Sequence, residues 1–294
     1  MSHARLGPNR YGKAETRVVR VTRDGEVHHL RDLNVSVALS GDMEAVHLTG
    51  DNAAVLATDT QKNTVFAFAK KYGIGSPEEF GLLLARHFVD AQPTIHHARV
   101  AIEDYAWDRI PAGGDPGRRH SFVRSGGETR TAVVHYDAPA GVHVVSGLKD
   151  LVVLNSADSE FHGYIKDEYT TLQETRDRVL ATAVTAQWRH TSDDSDWEES
   201  YAAARRHLLE AFAGTYSRSL QQTLYAMGER LLDARREICE VRLTMPNKHH
   251  FAVDLEPFGL ENAGEVFYAA DRPYGLIEGS VVLDDAPEPG PAWS

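Results

Sequence analysis

Ala57-Thr58-Asp59-Thr60-Gln61-Lys62-Asn63-Thr64-Val65-Phe66 turns the chain from strand to helix. The apolar run Ala53-Ala54-Val55-Leu56 before it reads as a short strand, and Val65, Phe66, Phe68 and Ala69 after it begin a helical face. Lys70, Lys71 and Gly73 close that helix, since two cations oppose the negative end of its dipole and a glycine accepts the left-handed conformation common after a last turn. Thr58, Asp59 and Thr60 therefore occupy a helix N-terminus. There they either cap the helix or leave its N–H groups facing a small anion.

Working outward, Arg17 to Val21 begins a strand, Asp24-Gly25 signals a turn, and Leu33 to Leu39 alternates apolar and polar residues as a half-buried strand does. Downstream, Ser76-Pro77-Glu78-Glu79 is a capping box with proline at the first helical position, and Phe80, Leu83, Leu84, His87 and Phe88 recur at helical spacing up to Pro93. Thr94 to Tyr105 and Ser121 to Tyr136 read as strands around the breaker-rich loop 111–117. The second half repeats this order. Val142 to Asn155 and Asp177 to Trp188 read as strands, and Ser195-Asp196-Trp197-Glu198 as a capping box opening the stripe Trp197, Tyr201, Ala204, Leu208 and Phe212. Leu220, Leu224, Met227, Leu231 and Leu232 make another stripe, and Ile238 to Met245 and Glu265 to Ala270 return to strand.

Two copies of strand-strand-helix-helix-strand-strand imply a duplicated antiparallel α+β unit. We expect a first domain over residues 11–139, a second over 140–284, and a mobile proline-rich, acidic tail over 285–294. Each sheet would carry helices on one face only. Its other face and its edges would need burial elsewhere, so an oligomer is expected, with sheet edges paired between subunits into a closed barrel.

The net charge of -12 over 294 residues repels phosphate backbones, which argues against nucleic acid as a partner. No segment approaches the ~20 apolar residues that span a bilayer, so a membrane is not expected. Met1 to Arg5 lacks the apolar core of a secretion signal, and the single cysteine, Cys239, can form no internal disulfide, which fits a reducing cytoplasm. The pairs His28-His29, His96-His97 and His249-His250 do not suit one metal ion, because adjacent residues on extended backbone point to opposite faces. No His-Glu-x-x-His, Cys-x-x-Cys, Gly-x-Gly-x-x-Gly or phosphate-loop spacing occurs, so neither a metal nor a nucleotide cofactor is indicated.

Several polar and aromatic residues stand out. Lys13 lies ahead of the first strand, as a surface charge or a base. Phe161, in a polar segment, either plugs a core edge or offers a stacking face. Arg178 sits among apolar residues on a strand, where a guanidinium needs an anion, from a carboxylate of the fold or from a ligand. Gln221, in a helix first turn, is idle or reads a donor-acceptor edge. Asn247 and His249 fall in the cluster Met245-Pro246-Asn247-Lys248-His249-His250-Phe251.

Tyr11-Gly12-Lys13, Ala57-Thr58-Asp59-Thr60-Gln61-Lys62-Asn63, Ser159-Glu160-Phe161-His162-Gly163-Tyr164, Asp177-Arg178-Val179-Leu180-Ala181-Thr182, Ser219-Leu220-Gln221-Gln222-Thr223-Leu224-Tyr225 and Pro246-Asn247-Lys248-His249 together resemble the urate oxidase (uricase) family. The resemblance runs from about Tyr11 to about Val282. It implies two tandem tunnelling-fold (T-fold) domains in a homotetramer around a β-barrel tunnel, with active sites at subunit interfaces. It also implies oxidation of urate by O2 to 5-hydroxyisourate and hydrogen peroxide, with no cofactor and no metal. On that resemblance, Arg178 and Gln221 clamp the purine, Phe161 stacks on it, and the backbone N–H groups of Asp59 and Leu220 add donors. Lys13, Thr58 and His249 form a proton relay, and Asn247 with Thr58 holds O2 or peroxide. Lys13, Thr58 and Asp59 would come from one subunit and the others from its neighbour. The family often has valine where Leu220 stands, and the missing Ser-Lys-Leu ending favours a bacterial cytoplasmic enzyme. Two other readings are a pterin-type enzyme of the same fold, which would grip its ring with Glu and use zinc, and a purine-binding protein without catalysis. Gln221 and the lone Cys239 oppose the first; the second would not need Lys13, Thr58 and His249 together.

Overall fold

A computed structural model describes residues 4–111, 120–138, 140–270 and 272–294. The expected loop at 112–117 and Pro139 of the expected boundary lie outside these residues. The chain divides into two compact units, one of residues 1–147, 189–198 and 287–294, the other of residues 148–188 and 199–286.

The first unit opens on two long strands, β1 (Tyr11–Asp24) and β2 (Val27–Gly41), joined by a tight turn with Gly25 at φ +56. They are antiparallel, with Tyr11 opposite Leu39 and Lys13 opposite Val37. Between Lys13 and Thr16 the register slips by one residue. Glu15 stands there at φ +55, its N–H donating to Ser36 Oγ at 2.9 Å, so a β-bulge follows Lys13. Three helices come next: the short α1 (Glu44–Leu48), α2 (Thr58–Lys71) and α3 (Pro77–Asp90). The capping box of α3 forms as expected, with the Glu79 N–H donating to Ser76 Oγ and the Ser76 N–H to Glu79 Oε2. Gly73 takes φ +89 just past α2.

Strand β3 (Ile95–Asp104) pairs antiparallel with β2. The small ribbon of β4 (Trp107–Arg109) and β5 (Phe122–Arg124) comes before β6 (Thr129–Asp137), so the single strand expected from Ser121 to Tyr136 breaks at Gly126 and Gly127. The order across this sheet is β1-β2-β3-β6, with β7 (Gly141–Asn155) next to β6. Val35, Val37, Leu39, Val100, Ile102 and Val134 of the sheet, with Val65, Leu84 and Phe88 of the helices, form one core in which each of these residues is almost fully buried.

In the second unit the order is β7-β8-β9-β12. Strand β8 (Leu180–His190) is followed by α4 (Trp197–Gly214), α5 (Leu220–Ala234) and β9 (Ile238–Asn247). Helix α4 starts one residue later than a cap at Ser195 would set it. Next come β10 (His250–Ala252), β11 (Phe267–Ala269) and β12 (Gly275–Val282). The strand expected at 265–270 is not a sheet strand but pairs with β10 as a ribbon; the sheet is completed by β12 against β9. β12 escapes a pattern search because it is half exposed and carries two glycines. A Cβ on Gly279 would come within 3.0 Å of Leu224, so the glycine admits α5. Trp188, Leu208, Leu231, Val241 and Met245 lie in this unit's own core.

Two further expectations change. Residues 53–56 are not a strand; they form a turn in which the Val55 N–H reaches Asn52 O, because four apolar residues after Gly50-Asp51-Asn52 find no sheet partner. The stretch expected to be a mobile tail makes packed contacts within the first unit. Arg99 Nε donates to Ser294 O at 3.0 Å, Arg189 donates to Pro287 O, and Ala292 is buried.

Candidate active site

Lys13, Thr58 and Asp59 belong to the first unit. Thr58 is the first residue of α2, and the N-cap position is Ala57, which makes no side-chain cap bond. The capping role considered for Thr58 is therefore corrected, since its hydroxyl lies inside the helix start rather than before it. The Asp59 carboxylate accepts from Lys62 Nζ and from Asn63 Nδ2 at 2.9 Å. The Lys62 ammonium holds the Asp59 carboxyl below the usual carboxylate range, and the charge of Lys13 adds a smaller pull in the same direction.

One tyrosine connects the two. Tyr11 Oη donates to Leu56 O at 2.9 Å and accepts from Leu56 N at 2.8 Å, while Gln61 Nε2 donates to the same carbonyl. Tyr11 lies two residues before Lys13 on β1 and holds the residue two before Thr58.

The second unit contains Phe161, Arg178, Leu220, Gln221, Asn247 and His249. Arg178 does not lie in a strand, as its apolar neighbours suggested; it precedes β8 by two residues. There its N–H donates to Ser159 O at 2.9 Å and its Nε to Ser159 Oγ at 3.3 Å, contacts that take it out of the ladder. Its guanidinium carbon sits 5.2 Å from the centre of the Phe161 ring. Burial pulls the Arg178 pKa below the usual arginine range, though a guanidinium stays charged in a protein. Tyr164 stacks on Phe161, ring centres 4.9 Å apart and planes 14° from parallel, and is held in turn by a 2.6 Å bond from its hydroxyl to Leu172 O.

The segment carrying Phe161 is fastened at both ends. Phe161 and Thr175 exchange backbone bonds of 2.8 and 3.0 Å, while Glu160 N donates to Ser217 O and Ser217 N to Asp158 O. Ser217 leads directly into Ser219, the N-cap of α5, whose side chain accepts from Gln222 N and leaves Leu220 and Gln221 as the first helical residues. Among the described residues the Gln221 amide has no hydrogen-bond partner. Asn247 ends β9, and Lys248 N donates to Ala181 O at 2.8 Å, tying that end to the strand after Arg178. His249 stacks with Phe251 at 5.7 Å, whereas His250 Nδ1 lies 2.9 Å from Lys248 O, so the adjacent histidines have separate partners. Burial first, and the Arg178 cation second, hold His249 below the usual imidazole range. It is therefore neutral near pH 7 and able to accept a proton. Among the described residues no group of three or more His, Cys, Asp or Glu is placed to hold a metal ion.

The second unit thus joins Phe161 and Arg178 directly, ties the segment of His249 to the strand after Arg178 through the bond from Lys248 N to Ala181 O, and ties the start of α5 to the Phe161 segment through Ser217. Three supports stand inside the quoted motifs without a role assigned from sequence: Tyr11, Ser159 and Tyr164. Each lies two or three positions from a residue that was given a role, and alternation on β1, which gives Tyr11 and Lys13 one face, was the available signal for the first.

The family model described as uricase matches residues 9–135 and 144–278, one segment for each tandem domain. The chain belongs to the uricase family. Among curated relatives, the uricase of Arthrobacter globiformis is 49% identical over 289 residues, covering 98% of this chain and 93% of the relative. That of Dictyostelium discoideum is 38% identical, covering 95% and 97%. The crystal structure of the Arthrobacter globiformis uricase superposes with a TM-score of 0.94 at 48% identity, covering 99% of both chains. The fold is accordingly the α+β tandem T-fold of uricases, and the activity that goes with this membership is urate oxidation.

Proposed function

We propose that this uricase-family chain oxidises urate with O2 to 5-hydroxyisourate and hydrogen peroxide using its own side chains as the catalytic groups. The observation that carries the reading is the Arg178 guanidinium carbon 5.2 Å from the centre of the Phe161 ring, with the segment of His249 tied to the strand after Arg178 by the bond from Lys248 N to Ala181 O. Urate is flat and anionic near neutral pH. A guanidinium in its plane answers the charge, an aromatic ring answers a face, and the unpartnered Gln221 amide with the Leu220 and Asp59 N–H groups can read its edge. Electron transfer from the ring to O2 becomes easier once a second proton has left. Lys13 draws that proton through the Thr58 hydroxyl, and His249 is the further acceptor. Asn247 and Thr58 then hold O2, and afterwards peroxide or water, over the ring.

The two groups of residues meet between neighbouring subunits of a homotetramer, Lys13, Thr58 and Asp59 from one and the remainder from the other, and the outer strands β1 and β12 pair between subunits to close the barrel. Tandem domains at 11–139 and 140–284 supply the repeat. A single buried cysteine supports a reducing cytoplasm, and no described helix is long and apolar enough to cross a membrane.

The test is to mix metal-stripped protein with urate in air and follow urate absorbance, O2 uptake and peroxide release. Turnover without added metal supports the reading, while uptake only after metal is restored overturns it. Lys13→Met and Thr58→Ala each lower turnover by about 10²-fold or more with a purine inhibitor still bound, the range for lost positioned proton transfer. Arg178→Gln instead weakens inhibitor binding. Recovery of activity in hybrids of a Thr58 variant with an Arg178 variant supports the shared site, and no recovery in hybrids that do form counts against it.

A further inference from the structure

Most helices begin with a side chain that accepts from their unpaired first N–H groups, and exchanging such a cap for alanine costs about 1 kcal/mol. Helix α5 follows the rule with Ser219. Helix α2 does not, because its cap position is Ala57. Something else must fix how the chain enters α2, since Thr58 stands at its first position.

That something is a phenol on another element. Tyr11 Oη binds both polar backbone atoms of Leu56, at 2.8 and 2.9 Å, and the wholly buried Gln61 adds a third contact from the first turn back to Leu56 O. A hydroxyl that donates to and accepts from one residue fixes the orientation of that peptide as well as its position. Tyr11 shares its face of β1 with Lys13, and burial keeps its hydroxyl protonated.

We infer that Tyr11 is a positioning residue that sets the Thr58 hydroxyl against the Lys13 amine, replacing a helix cap so that the first turn of α2 stays open to the reaction. The inference rests on the relay proposed above. Tyr11 itself touches neither substrate nor O2. It acts through Leu56 and through the strand it shares with Lys13, and it leaves the gripping residues of the second unit alone.

The experiment compares Tyr11→Phe with Tyr136→Phe, which loses a surface hydroxyl bond to Asp90 and serves as the control. Removing the Tyr11 hydroxyl should lower kcat about tenfold, the scale of a sub-ångström misplacement of reacting groups, and shift the pH profile of kcat. Affinity for a purine inhibitor should stay within about twofold, because Phe161, Arg178 and Gln221 of the second unit supply most of the grip and the Asp59 N–H is one donor among several. A kcat and pH profile matching those of the control overturn the inference, and so does a loss of kcat that only follows a matching loss of inhibitor affinity. Lys13→Met and Thr58→Ala, run alongside, separate the two levels. If those variants lose 10²-fold while Tyr11→Phe keeps the kcat and pH profile of the control, only the Tyr11 assignment fails; if they keep near parental turnover, the relay fails and the assignment falls with it.

Discussion

Gly12→Ala should disable the enzyme without touching a single chemical group of the site. A Cβ built on Gly12 would lie 1.8 Å from Val37 O and 2.8 Å from the Cα of Ala38. Ordinary contact begins at 3.4 Å, so β1 must retreat from β2 by about 1.6 Å or twist to a similar extent. Both partners are backbone in a paired ladder, so no side-chain rotation relieves the clash. Lys13 is the next residue and moves with the strand. A misplacement of about 1 Å is worth on the order of 10²-fold in rate, and overpacking of this kind costs about 1–3 kcal/mol. The assay is urate turnover in air by absorbance, with Tm and purine-inhibitor affinity measured on the same preparation. The expected result is turnover down by about 10²-fold, Tm lower by several degrees and inhibitor affinity nearly kept. Gly127→Ala is the control, since nothing lies within 4 Å of a Cβ there. Turnover within about threefold of the parent at unchanged Tm would refute the reasoning.

Tyr164→Ala should weaken a purine inhibitor by about two- to tenfold, matching the ~0.5–1.5 kcal/mol of an aromatic pair, while Tyr164→Phe keeps the stack and the affinity; equal affinity in both variants would remove Tyr164 as a support for Phe161. Stability should fall in weak acid because of His135, whose pKa is pushed down to about 3, first by burial and then by the neighbouring His97. Unfolded imidazole titrates near ~6.5, so stability is full above that pH and is lost as the pH drops from ~6.5 toward 3, by about 2 kcal/mol at pH ~5 from this group. His135→Gln should flatten the dependence of Tm on pH between ~7 and ~5, and an unchanged slope would clear His135 of the effect.

Signals confined to one turn of chain were legible in the sequence. The Ser76 to Glu79 box, the Lys70-Lys71-Gly73 close of α2 and the alternation of β2 all depend on neighbours a few residues away. Signals that depend on distant partners were not. Residues 53–56 look like a strand until no ladder is found for them, and β12 looks like a loop because an edge strand has only one neighbour to satisfy. Arg178 reads as a strand residue, yet Ser159, nineteen positions earlier, draws it out. The motifs named the residues proposed to meet the purine, because reactive groups have few chemical substitutes. They include Tyr11 but assign it no role, because its partner lies 45 positions away and is met only through its backbone.

The bulge after Lys13 resolves a conflict of phase on β1. Ahead of it the odd-numbered Tyr11 packs toward the core and Lys13 is half-buried on the same side; beyond it the even-numbered Thr16 and Val18 are the buried ones. An uninterrupted ribbon with a two-residue repeat could satisfy one set or the other. Deleting Ala14 would therefore either swing the amine out to water or expel Val18 from the interior, and the single surplus residue is what lets one strand both display a reactive group and help close the core.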